Sequence, residues 1–168
     1  MWLGSDSFSG TDTSRDLHPG PKWFRVGGPS GAVVGFAGAY RPAEVLRHHV
    51  HVRTPRPGED PHAYLVTELA AAFRVQCRAR STSTRDVEFL VALRGHLYRL
   101  QSDFSVVPTA RGFDAIGAGE DYALGALAAL TPTGQPGRTL RRVLAAAAHV
   151  CPKVSAPFYV QAFGPRAV

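Results

Sequence analysis

MWLGSDSFSGTDTSRDLHPGPKWFRV, residues 1–26, decides how the rest of the chain is read. It starts at once in a strand-like run, with residues 2–8 alternating well enough for a short strand. Gly10 to Gly20 then read as a polar Gly/Ser/Thr/Asp loop. A lone Lys22 stands in front of Trp23, Phe24 and Val26, and Lys22–Val26 reads as a second strand. A chain that opens this way enters its fold in mid-sheet.

Beyond this stretch, Gly27, Gly28, Pro29 and Gly31 turn the chain into Ala32–Gly38, a small-residue apolar run suited to a strand buried on both faces. Arg41–Val52 has helical spacing, with Val45, His48/His49 and Val52 along one side and Pro42 in the first turn. Thr54–Pro61 is a loop by its Pro, Gly and Asp content. Pro61–Arg78 is the longest helical pattern, with Tyr64, Leu65, Leu69, Ala72, Phe73 and Cys77 forming an apolar core stripe. The period then changes. Phe89–Leu93 and His96–Leu100 flank Arg94-Gly95 as a hairpin, and Phe104–Val107 and Phe113–Ile116 read as two more short strands. Glu120–Leu130 is an Ala/Leu helix whose acidic first turn suits the helix dipole. Arg138–Val150 is a second helix, Pro157–Phe163 a closing strand, and 164–168 a loose tail. Two helix pairs separated by antiparallel sheet predict an α+β domain over residues 1–163, with two stacked sheets and a helix pair on each outer face.

Composition excludes several classes. The 168 residues are 45% hydrophobic, which excludes a disordered chain. No apolar run approaches the ~20 residues of a membrane helix, and no signal peptide opens the chain, so a cytoplasmic location without a membrane partner is expected. The formal charge of +6 comes almost wholly from arginine, Lys22 and Lys153 being the only lysines. The arginines are scattered rather than clustered with exposed aromatics, which speaks against a nucleic-acid surface and for a solvated one. Cys77 and Cys151 suggest reduced, buried thiols rather than a disulfide framework. His48, His49 and His51 lack a nearby Asp, Glu or Cys to complete a zinc set, so no metal and no cofactor is expected.

Three segments line up with a known family. GSDSFSGTDT followed by PKWFRV, then VVGFAGAY, then AIGAGEDYALGAL resemble the proteasome β-subunit and HslV-like N-terminal-nucleophile hydrolases, in the same order and over almost the whole chain. The resemblance implies a four-layer αββα sandwich. It also implies a threonine-type peptidase, in which an N-terminal hydroxyl attacks a peptide carbonyl and the α-amine, with an unperturbed pKa near ~8, takes the proton. By motif match, Lys22 is the lysine whose charge favours the free amine, and Asp6 the aspartate that holds it. Gly38 matches the glycine whose backbone N–H binds the oxyanion. Ser9, Gly10, Thr11 and Asp12 occupy the segment that lines the substrate cleft. A homo-oligomeric ring, a polypeptide substrate and an ATPase partner are implied on the same ground.

The departures are as informative. Met1 aligns inside the family's second strand, so the threonine nucleophile is expected roughly eleven residues before it, about one strand of chain. Ala118 stands where relatives carry a serine that hydrogen-bonds the catalytic amine. His149 stands where they carry an aspartate of the same network. Cleavage at Gly4-Ser5 would delete the strand before Asp6 and is set aside. Two readings follow: a peptidase subunit whose first strand lies upstream, or a non-catalytic ring or scaffold subunit that keeps the fold. Loss of a first strand leaves its neighbours with unpaired backbone groups, which favours the former.

Overall fold

The computed structural model describes residues 1–11, 14–130 and 134–164. Its chain divides into two compact units. A contiguous unit spans Trp23–Asp114, and a terminal unit joins Met1–Lys22 to the chain from Ala115 onward. The structure mixes helices and antiparallel sheets, as expected of an α+β protein.

The terminal unit opens with β1 (Trp2–Ser5), in which Trp2 is exposed and Leu3 buried. The strand expected over residues 2–8 is interrupted at Asp6. Its carboxylate accepts the Phe8 N–H at 2.8 Å, a local bond that competes with ladder formation. The stretch expected to be loop holds a hairpin instead, β2 (Phe8–Gly10) against β3 (Arg15–Leu17), with Gly10 opposite Arg15. All of β3 is exposed, so no buried face writes an alternating pattern into its sequence.

The contiguous unit follows with β4 (Trp23–Val26) and β5 (Ala32–Gly38), then α1 (Tyr40–His49). Pro42, Ala43, Val45 and Leu46 form the buried face of α1, while His48, His49 and His51 are exposed. Asp60 caps α2 (Pro61–Tyr64) by accepting the His62 N–H at 2.9 Å. A π-helical segment, Leu65–Ala70, leads on into α3 (Ala71–Ala79). The expected single helix is thus one rod with a wide turn inside it, and the apolar spacing explains why. Leu65, Leu69, Phe73 and Cys77 recur every four residues, a period that drifts around an ideal α-helix of ~3.6 residues per turn. A wider turn offsets the drift and keeps all four buried.

Next come β6 (Val87–Leu93), β7 (His96–Leu100) and β8 (Val106–Pro108), completing a five-stranded antiparallel sheet ordered β4-β5-β6-β7-β8. Arg94 and Gly95 both take positive φ, +51° and +86°, as a two-residue hairpin turn requires. Phe113–Ile116 is not a strand. The Asp114 carboxylate is drawn to the Arg99 guanidinium at 2.6 and 2.7 Å, and this side-chain tie takes the place of a ladder. The terminal unit resumes with α4 (Glu120–Ala129), α5 (Pro136–Val150) and β9 (Tyr159–Ala162), which pairs antiparallel with β1.

The core of the contiguous unit lies between its sheet and its helices. Phe73 is fully buried there and meets Phe89 and Phe104 edge-on, each at 5.5 Å between ring centroids. The loop before α2 is pinned by charge. Arg53 grips Glu59 at 2.5 and 2.8 Å and Glu68 at 3.1 Å, and Arg94 donates to the carbonyls of Pro55, Arg56 and Glu59. The Arg53 hydrogen bonds, together with the Arg56 N–H, hold the Glu59 carboxyl down at about 2.

Replacing Phe73 with Ala should cost about 3–5 kcal/mol, read as a lower urea midpoint at unchanged slope. A carboxyl depressed in the folded state contributes stability above its unfolded pKa, and that contribution is lost as pH falls from about 4.5 towards 2. Glu59→Gln should therefore shrink the fall in urea midpoint between pH 6 and pH 3.

Candidate active site

Asp6 lies just past β1, where the chain bends towards β2, and Lys22 is the last residue before β4. The structure brings the two together. Lys22 Nζ donates to Asp6 Oδ1 at 2.7 Å, and the two side chains are only 13% and 16% exposed. Oδ2 is occupied as well, accepting the Phe8 N–H at 2.8 Å and the Ser155 N–H at 3.2 Å. Three donors from three segments therefore fix one carboxylate. The Ser5 hydroxyl adds a further tie by accepting the Lys22 backbone N–H at 3.3 Å. An ammonium held this way is an immobile positive charge with little water around it, which is what stabilising a developing anion or a neutral amine requires.

Ser155 belongs to a segment that sequence reasoning passed over. It is 5% exposed, and its carbonyl accepts the Ser7 N–H at 2.8 Å. Ser7, fully buried, donates its hydroxyl to the Pro157 carbonyl. These bonds join residues about 150 apart, and no periodicity or local motif signals such a pairing.

The other expected site residues fall in several places. Ser9, Gly10 and Thr11 lie on the β2–β3 hairpin. The Thr11 N–H donates to the Ser14 carbonyl at 3.0 Å, while Asp12 is outside the described residues. Gly38, in the contiguous unit, ends β5 exposed and at φ +92°. A Cβ there would stand 2.2 Å from the Asp86 carbonyl oxygen, so only glycine fits. Ala118 sits in the Gly117–Gly119 turn before α4, and its carbonyl accepts the Cys151 thiol at 3.4 Å. His149 is exposed on α5. The neighbour of Ala118 is thus Cys151. Gly119 packs so closely on Val154 that a Cβ would come within 2.5 Å of its methyl. The Met1 ammonium donates to the Phe163 carbonyl at 2.7 Å, extending the β1–β9 ladder.

Among the described residues no group of three or more His, Cys, Asp or Glu side chains could hold a metal ion. No helix among them is long and apolar enough to cross a membrane. His49 is kept below the usual imidazole range by desolvation and by the nearby charges of Arg80 and Arg41. Burial pushes the Cys77 thiol up to about 11. Both lie in the contiguous unit.

In fold the chain is similar to solved proteasome-like structures over nearly its whole length. Among solved structures, the chain is similar to BPH of Thiobacillus denitrificans, solved in complex with epoxomicin. There the TM-score is 0.73 at 18% identity, over 98% of this chain and 93% of that one. It is also similar to the eukaryotic HslV of Trypanosoma brucei, with a TM-score of 0.67 at 19% identity, over 95% and 91%. Anbu of Pseudomonas aeruginosa, solved as a helical assembly, gives 0.65 at 16% identity, over 96% and 76%. No protein-family model and no curated protein matches the sequence. At these identities the likeness is one of fold.

Asp6→Ala leaves the Lys22 ammonium without its carboxylate and two backbone N–H groups without an acceptor. It should lower stability by about 2–3 kcal/mol in urea unfolding.

Proposed function

We propose that this chain is a proteasome-like, threonine-type peptidase subunit of intracellular protein degradation, and that Asp6 and Lys22 are the supporting half of its active site. One observation carries the reading: a lysine and an aspartate matched by motif meet at 2.7 Å, largely out of water, in a protein of this fold. On this reading the nucleophile would be a threonine leading a further strand, as the resemblance implies. Lys22 would lower the amine's affinity for a proton and stabilise the alkoxide, and Gly38 would offer its N–H to the oxyanion. Ser9, Gly10, Thr11 and Asp12 would line the cleft for a polypeptide. The four-layer αββα arrangement and the single domain over residues 1–163 belong to the same reading. So do a cytoplasmic location, a homo-oligomeric ring and an ATPase partner, with the helical Anbu assembly as the nearest support for self-association.

Ala118 and His149 favour a second reading, that of a non-catalytic ring or scaffold subunit. Ala118 offers no hydroxyl where the resemblance places a serine, and His149 is exposed. The two readings separate in the reading frame upstream of Met1. A Thr-Thr-(Ile/Val) strand in frame supports the peptidase, and a stop codon directly upstream sinks it. Where the strand exists, the extended chain should hydrolyse peptides and take up epoxomicin, the ligand of the Thiobacillus denitrificans protein, and threonine-to-alanine replacement should abolish both. Turnover that survives this replacement refutes the mechanism.

A further inference from the structure

Arg15 lies on β3, the exposed strand of the polar hairpin, and composition alone would make it one more solvated arginine. Its guanidinium is nevertheless committed: Nη2 donates to Ser155 Oγ at 2.6 Å. Its charge thus meets a neutral, buried hydroxyl. The same serine donates its backbone N–H to Asp6 Oδ2 at 3.2 Å, and Asp6 holds Lys22 at 2.7 Å. Arg15, Ser155, Asp6 and Lys22 thus form one unbroken line of hydrogen bonds from the hairpin to the ammonium. A bond with one charged partner is about twice as strong as a neutral one. The Arg15 link therefore restrains residue 155 more firmly than its backbone contacts alone.

We propose that Arg15 is a positioning residue. By fixing Ser155 it keeps the Ser155 amide on Asp6, and through Asp6 it keeps Lys22 in place. Whatever moves the β2–β3 hairpin, including a polypeptide laid against it, is then felt at the ammonium. The coupling stands on geometry within the terminal unit, and its consequence for turnover rests on the peptidase reading above.

The two-lysine composition makes the test direct, because lysine-selective isotope labelling yields only the Lys22 and Lys153 ammonium signals. In Arg15→Ala, the Ser155 amide should exchange with solvent at least tenfold faster than in the parent, and the Lys22 ammonium protons should exchange faster too. The urea midpoint should fall, but by less than in Asp6→Ala, because one bond to a neutral hydroxyl is lost and the Lys22–Asp6 pair is kept. Arg15→Lys, which can still reach the serine with a charge, should recover part of the protection. Parent-like exchange at both Ser155 and Lys22 in Arg15→Ala overturns the proposal. In the chain extended by a threonine-led strand, Arg15→Ala should lower kcat at least tenfold with KM unchanged. A raised KM with kcat intact would make Arg15 a substrate contact and likewise overturn it. If the extended parent shows no turnover, the peptidase reading fails, and the exchange measurements on the chain as it stands still decide the coupling.

Discussion

The Asp6 carboxylate is the constraint on which the terminal unit turns. Its two oxygens accept from Lys22, Phe8 and Ser155, so one side chain joins the bend after β1, the approach to β4 and the segment before β9. Each bond closes a different loop of chain, and each is largely shielded from water. A carboxylate in this setting must be matched by donors, because leaving it bare would cost far more than any one of the bonds returns. The interruption of β1 at Asp6 follows from this. The residue that breaks the strand is the one that organises what surrounds it.

The rest of the terminal unit supplies what that carboxylate needs. α5 lies against β1, where the absence of a side chain at Gly4 lets Leu140 and Leu144 approach. Ala147, Cys151 and Val154 form a small buried cluster at the end of the same helix. This cluster sets where the chain emerges towards Ser155, one residue later. The polar network is therefore positioned by apolar packing that begins in the helix, and a change in that packing reaches Asp6 through Ser155.

Much of this was readable from the sequence, and the parts that were not share a cause. β5, the β6–β7 hairpin, the long helix after Pro61 and both late helices declare themselves because each has a buried face with a period. The pairing of Asp6 with Lys22 was suggested by a resemblance, and the structure puts the atoms in contact. Three features escaped. The β2–β3 hairpin has no buried face to show. Phe113–Ile116 has a strand-like pattern that the Arg99–Asp114 tie overrides. Ser155, Arg15 and Cys151 contribute through contacts across some 30 to 150 positions of sequence, and side-chain identity alone does not predict such contacts.

The identity of the cation at position 22 bears on whether the ion pair is only structural. Arginine supplies nearly all the positive charge of this chain, and a planar guanidinium can engage both oxygens of a carboxylate at once. The chain's other close pairs use that geometry, as Arg53 does with Glu59 and Arg99 with Asp114. At Asp6 the second oxygen is already taken by two backbone amides, so a bidentate fork would displace them. What the site accepts is a compact point charge on one oxygen, and lysine provides it. Lysine also differs in having further N–H groups that point away from its partner, where a guanidinium would present a flat face. On the peptidase reading proposed above, those further N–H groups are the part of Lys22 that would face the amine and the alkoxide.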